Sequence, residues 1–203
     1  MRSESLVFAV AGSCFGLIVG WILGSQQVPP GRAGAPAPAS QQAAAPPAAE
    51  AGRAPVILDE TRVQTLRTVA TNDPKNARSR VDLANLFFDA ERYDEAIKWY
   101  EEALKIEPRN VDVSTDLGVS YYYLNQPDRA LKQFDYSLSV DPKHAKTMLN
   151  LGIVRAFGKQ DLEGAAAAWR QVIQIAPQSR EAQAAQRALD SMKSAHPGLG
   201  GTG

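Results

Sequence analysis

Hydrophobic residues between Pro74 and Pro177 recur in short blocks, and the blocks themselves recur. Leu83, Leu86 and Phe87 are spaced by three and one, Asp89 to Arg92 interrupt them, and Ala96, Tyr100, Ala103 and Leu104 resume the pattern. Offsets of three and four place each block on one side of a helix. Leu117, Gly118 and Tyr121 are followed in the same way by Ala130, Phe134 and Leu138, and Leu151 and Gly152 by Ala165, Trp169 and Val172. The unit predicted is a pair of helices joined by a short polar turn. Pro74, Pro108, Pro142 and Pro177 punctuate the series at intervals of 34, 34 and 35 residues. A fixed period of this length marks stacked structural repeats. The single extra residue is expected in the turn near Lys159 to Glu163.

Helical patterning continues on both sides. Leu58 to Thr71 predicts one helix, with Val63, Leu66, Val69 and Ala70 inward and Asp59 and Glu60 at its positive end. Residues 178–194 predict another, with Ala182, Ala185, Leu189 and Met192 inward and Arg180, Gln183, Arg187 and Asp190 in water. Solenoids need such polar-faced terminal elements to close their apolar ends. About eight helices are expected over residues 58–194, and 195–203 reads as a flexible tail.

These positions resemble the tetratricopeptide repeat family. The small residues are Ala84, Gly118 and Gly152, and the first-helix aromatics are Phe87 and Tyr121. Ala96, Ala130 and Ala165 follow, then Tyr100, Phe134 and Trp169, then Ala103, Ser137 and Val172, then the prolines. Arg155 departs from the pattern at an aromatic position, as do Arg80, Ser114 and Met148 where a Trp is common. The resemblance implies an all-α solenoid of three helical hairpins (about 77–110, 111–144 and 145–179) with flanking helices. It also implies a concave side lined by the first helix of each hairpin. Its groove positions carry over to Arg78, Val81, Asn85, Phe88 and Asp89, to Asp112, Thr115, Val119, Tyr122 and Tyr123, and to Lys146, Leu149, Ile153, Ala156 and Phe157. Phe88, Tyr122, Tyr123 and Phe157 fall outside the inter-helix core pattern, and rings suit a recognition surface because few rotamers must freeze. One sub-type of the family grips a peptide's terminal carboxylate through Lys and Asn. Asn85 and Lys146 match two of its positions, but Val81 and Asp116 stand where it wants Lys and Asn, so an apolar or mixed segment is the expected partner.

The amino-terminal half of the chain is a different material. Residues 6–24, LVFAVAGSCFGLIVGWILG, carry no charge and would span roughly 28 Å as a helix, which suits an uncleaved transmembrane anchor. Gly12, Gly16, Gly20 and Gly24 form one stripe along it, a spacing that lets two membrane helices approach and favours pairing or a homo-oligomer. Arg2 lies close to one end and the nearest cation beyond the span is Arg32, which places the repeats outside the cytoplasm, in a bacterium the periplasm. Residues 25–57 form a Pro/Ala-rich linker, with seven of the 13 prolines between Val28 and Pro55 and no periodic apolar face. Such a stretch is expected to stay disordered and act as a spacer.

Charge and chemistry narrow the function. Twenty-two basic and 22 acidic residues balance, which gives no field for nucleic acid. The one cysteine, Cys14, excludes a disulfide framework. His144 and His196 have no nucleophile or carboxylate at a recognisable spacing, and no metal motif or phosphate-cradling loop occurs, so neither catalysis nor a cofactor is expected. The reading that follows is a membrane-tethered, non-enzymatic adaptor that binds a protein or peptide partner. One alternative is a cytochrome c maturation-type subunit holding apocytochrome, because such subunits combine an anchor with these repeats and AAAAWRQVIQIAPQSREAQ is similar to theirs. The other is a structural membrane oligomer with no client.

Overall fold

Five of the eight helices start where a side chain satisfies a free amide of the first turn. In the computed structural model, which describes residues 56–196, eight α-helices follow one another: α1 Glu60–Asn72, α2 Ala77–Asp89, α3 Tyr93–Ile106, α4 Val111–Tyr123, α5 Pro127–Val140, α6 Ala145–Ile153, α7 Leu162–Ile175 and α8 Arg180–Ala195. Asp59, Asn76, Asn110, Asp161 and Ser179 accept the capping hydrogen bonds of α1, α2, α4, α7 and α8. The helices that precede the four prolines stop at Asp73, Glu107, Asp141 and Ala176, each with a non-helical backbone. A residue ahead of proline avoids helical angles, so the period in proline is a period in helix ends.

Three antiparallel hairpins result, α2/α3, α4/α5 and α6/α7, with α1 before and α8 after them. The turn inside each hairpin is three residues long, and its middle residue is left-handed: Glu91, Asn125 and Gln160, with φ of 58°, 57° and 57°. Glu91 lies 14 residues beyond the start of α2 and Asn125 14 beyond the start of α4, but Gln160 lies 15 beyond the start of α6. The extra residue therefore sits inside the helix and not in the turn where it was expected. It is absorbed by a π-helical stretch, Val154–Gly158, a widened turn that accommodates one residue without altering the loop. The register of the third hairpin shifts by one from there. Ala156, 7% exposed, takes the place of Tyr121, and Arg155 turns towards the Gly164 carbonyl at 3.3 Å.

The second and third hairpins close through ring-on-glycine contacts. Phe134 of α5 lies directly on Gly118 of α4, and Trp169 of α7 on Gly152 of α6. Around them runs one core from Val63 through Leu83, Phe87, Tyr100 and Leu117 to Phe134, and a second from Met148 through Trp169 and Val172 to Leu189. The flanking helices pack as expected on Val63, Ala70, Ala182, Ala185 and Leu189. Val69 is an exception, at 39% exposed. The predicted range 58–71 becomes 60–72 because Asp59 caps the helix from outside, and 178–194 becomes 180–195 because Ser179 does the same. The anchor 6–24 with its glycine stripe, the linker up to Pro55 and the tail from Pro197 lie outside the described residues. Among the described residues no helix is long and apolar enough to cross a membrane.

Candidate partner-binding groove

The first helices of the hairpins stand side by side. Phe88 of α2 reaches Tyr123 of α4, and Thr115 of α4 reaches Thr147 of α6. Helix α8 packs beside α6 and extends the row.

At one end of this row lies a patch of rings. Tyr93 and Tyr123 stack with centroids 4.8 Å apart and planes 8° from parallel. Phe88 meets both edge-on, at 5.3 and 5.8 Å, and Tyr122 lies 6.1 Å from Tyr123. Tyr123 is 44% exposed, and the other three are half-buried. Tyr93 opens α3, a second helix, so a reading that took groove positions from first helices alone passed over it. The signal was present in an aromatic placed directly after the polar break Asp89 to Arg92.

At the other end, α6, α7 and α8 enclose an apolar pocket of about 480 Å³. Leu149, Ile153 and Phe157 line it from the expected groove positions, Trp169 forms part of its wall, and Ala188 and Met192 of α8 face them. The contribution of α8 was not foreseen, because the sequence presents that helix as a closing element.

Charges occupy the middle. Lys146 Nζ lies 2.6 Å from Asp116 Oδ1, so the cation that a carboxylate clamp would use is already engaged. Burial pushes the Asp116 carboxyl above its ordinary range, against the opposing pull of Lys146. Arg78 extends into solvent and pairs with Asp82 at 2.9 Å. Asn85 Oδ1 accepts a hydrogen bond from the Tyr100 hydroxyl at 2.7 Å, while Asp89 stands exposed and Val119 half-buried. Thr115, expected on the groove surface, is fully buried: its hydroxyl bonds to Thr147 at 2.6 Å and to the Val111 carbonyl at 2.8 Å. Ala156 is buried as well, through the register shift described above.

His144 gains partners that the sequence did not reveal. Its Nε2 lies 3.3 Å from Asp112 Oδ1 and its Nδ1 2.6 Å from Thr147 Oγ1. This acid–imidazole–hydroxyl line ends on Thr147, which is fully buried against Thr115. No substrate atom can approach that hydroxyl, so the line fastens the second hairpin to the third. Among the described residues no cluster of His, Cys, Asp and Glu is arranged to hold a metal ion.

Five of the six tyrosines hold their phenols above the ordinary value, burial being the largest cause in each. Tyr121 is pushed up to about 12, with the Glu101 carboxylate that its hydroxyl contacts as the next cause. The Tyr100 phenol is raised further. An unfolded chain releases these protons near pH 10 while the folded chain retains them. The stabilisation is therefore complete below about pH 10 and is lost as pH rises towards 12 and beyond. The urea midpoint is expected to hold between pH 8 and about 9.5 and to fall steeply above. Tyr100→Phe, which cannot ionise, should show a shallower fall, and an equally steep one would assign the loss to other groups.

Among the described residues the chain is an all-α solenoid of stacked helical hairpins. Residues 84–125 match the family model described as TPR repeat, and residues 115–180 that described as tetratricopeptide repeat, so this part of the chain is similar to repeats of the tetratricopeptide type. Among solved structures, the first TPR of Spaghetti (RPAP3) bound to HSP90 peptide SRMEEVD is 24% identical, with a TM-score of 0.54 over 61% of this chain and 94% of that one. The Arabidopsis OM64 TPR domain is 21% identical, with a TM-score of 0.51 over 57% and 94%. MamA is 16% identical, with a TM-score of 0.54 over 66% and 80%. At these identities the likeness is one of fold. No curated protein matches the chain.

Proposed function

We propose that the chain is a membrane-tethered, non-enzymatic scaffold that holds a protein or peptide segment along the row α2–α4–α6–α8. The observation that carries this reading is the placement of solvent-reaching rings on rigid helices at one end of the row, with an apolar pocket at the other. Rings fixed by their own helix backbones lose little freedom on contact, which makes them effective anchors. The Spaghetti neighbour was solved with an acidic peptide. Here the cation that would meet a terminal carboxylate is paired with Asp116, and Asp82, Asp89 and Asp112 stand on the same first helices. An apolar or mixed segment suits this row better than an acidic one. The tether is the uncharged segment 6–24 and the spacer the proline-rich stretch, with the repeats on the periplasmic side of a bacterial inner membrane.

A photo-crosslinking residue at Tyr122 in the full chain, in intact cells, tests this, with the exposed Lys98 on α3 as control. A discrete adduct with another protein at Tyr122, absent at Lys98, is the expected result. No adduct at Tyr122, or adducts only between copies of the chain, would overturn the scaffold and favour a structural oligomer.

A further inference from the structure

Three of the six tyrosine hydroxyls are engaged inside the fold: Tyr100 donates to Asn85, Tyr121 to Glu101 and Tyr136 to the Pro108 carbonyl, each at 2.7 Å. The other three belong to Tyr93, Tyr122 and Tyr123 of the ring patch, and among the described residues they have no hydrogen-bond partner. No buried side-chain polar atom of the described residues lacks a partner, so the half-buried Tyr93 and Tyr122 present their hydroxyls to solvent. Tyr123 is itself 44% exposed. The turn between α2 and α3 adds charge to this surface. Asp89 ends α2, Glu91 is the left-handed middle residue of the turn, and both are exposed. Burial raises the Tyr93 and Tyr123 phenols and the Glu91 charge raises both further, which sets Glu91 beside the stacked pair. Among the described residues neither Asp89 nor Glu91 forms an ion pair. The cations nearby are engaged elsewhere: Arg92 with Glu95 and Glu60 and over the Phe87 ring, Lys159 with Asp128 at 2.7 Å, and Lys98 beside Glu95. The exposed Asp94 adds a further negative charge, which the positive end of α3 offsets. The corresponding turn residues of the other hairpins, Asn125 and Gln160, carry no charge.

We infer that the patch of Tyr93, Tyr122 and Tyr123, with Glu91 and Asp89 at its rim, receives an arginine side chain of the client protein. This rests on the scaffold reading and names the chemistry of the client at this end of the row. The face of an aromatic ring is electron-rich and attracts a cation. A guanidinium is flat enough to stack on such a face, carries N–H donors around its edge, and sheds water more readily than an ammonium. The free phenol oxygens can accept from that edge, and the two carboxylates supply the opposite charge. The phenols keep their protons at neutral pH, so the carboxylates alone set the sign of the ligand. A purely apolar segment would cover the three hydroxyls without offering them a partner, which costs free energy. An acidic segment would meet Glu91 and Asp89 as like charges.

Calorimetric titration of the full chain in detergent micelles with acetylated, amidated peptides Ser-Leu-Gly-X-Gly-Leu-Ser tests the inference, X being arginine, lysine, glutamine or glutamate. The arginine peptide is expected to bind about tenfold tighter than the glutamine one, with lysine between them and glutamate weakest. In the double variant Asp89→Asn, Glu91→Gln the arginine-to-glutamine ratio should fall to about twofold. Gln160 holds the same left-handed turn position in the third hairpin, so glutamine at 91 is compatible with the fold. Asp135→Asn, at an exposed site on α5, should leave the ratio as it is. Equal affinities for the arginine and glutamine peptides, a preference for glutamate, no binding of any of the four, or a ratio insensitive to the double change would overturn the inference. The Tyr122 adduct in cells is read independently of these peptides. Its presence alongside equal peptide affinities would leave the scaffold standing without the cation site, so the two failures are separate results.

Discussion

Trp169→Ala is expected to destabilise the protein by about 3–5 kcal/mol and to do so unevenly along the chain. Trp169 is 2% exposed, its Nε1 donates to the Leu149 carbonyl at 3.2 Å, and its ring fills the space between α6, α7 and α8. Removing it leaves a cavity open to the neighbouring pocket, whose wall the ring forms. Collapse around that void is hindered because Gly152 has no side chain to move in and Ala165, Ala182 and Ala185 are small and helix-bound. In stacked repeats each unit leans mainly on its neighbours, so the loss stays near its origin. Amide exchange should therefore rise by about two to four orders of magnitude in α6–α8, following the free-energy change, and much less in α2 and α3, whose core residues belong to the other cluster. An equal rise in every helix would show that the domain opens as one cooperative unit.

Most of the fold is written in two spacings. The three-and-four pattern places Leu83, Tyr100, Leu117, Phe134 and Trp169 in the core, and the structure buries all five. The proline period places the helix ends, because the conformation ahead of proline is locally determined. The insertion was misplaced for a physical reason: one extra residue is satisfied equally by a longer loop or by a widened helical turn, and composition does not separate the two. The left-handed turn residue fixes the answer, since Gln160 preserves the loop geometry of Glu91 and Asn125. The candidate site was less legible. Thr115 stands at a groove position, yet its hydroxyl turns to Thr147, 32 residues along the chain, and the distance between hairpins is invisible in a one-dimensional pattern. Tyr93 joins the ring patch, and Met192 the pocket, through packing between successive units for the same reason. Apart from the widened turn of the third hairpin, residues whose role is set inside one hairpin were readable, and those set between hairpins were not.

Gly118→Ala sets two effects of opposite sign against each other. Alanine is better than glycine inside a helix by about 1 kcal/mol, and by that measure the change stabilises α4. The new methyl would stand 2.8 Å from Phe134 Cδ1 and 3.2 Å from Cζ, and closer still to Cε1. Carbon atoms rest at about 3.5–4.0 Å, so the ring has to move, and at 0% exposure it has nowhere to move without displacing α5. Overpacking of this kind costs about 1–3 kcal/mol, occasionally more, and it outweighs the helical gain. A net loss of about 1–2 kcal/mol is expected in the urea midpoint. The decisive control is the same change in a Phe134→Ala background. There the obstructing ring is gone and only the helical term remains, so Gly118→Ala should become neutral or stabilising. A coupling of at least about 1 kcal/mol between the two positions is the signature of direct contact. If the losses simply add, the glycine is not present to admit the ring, and the recurring small residues of the repeats, Gly152 beneath Trp169 included, require another explanation.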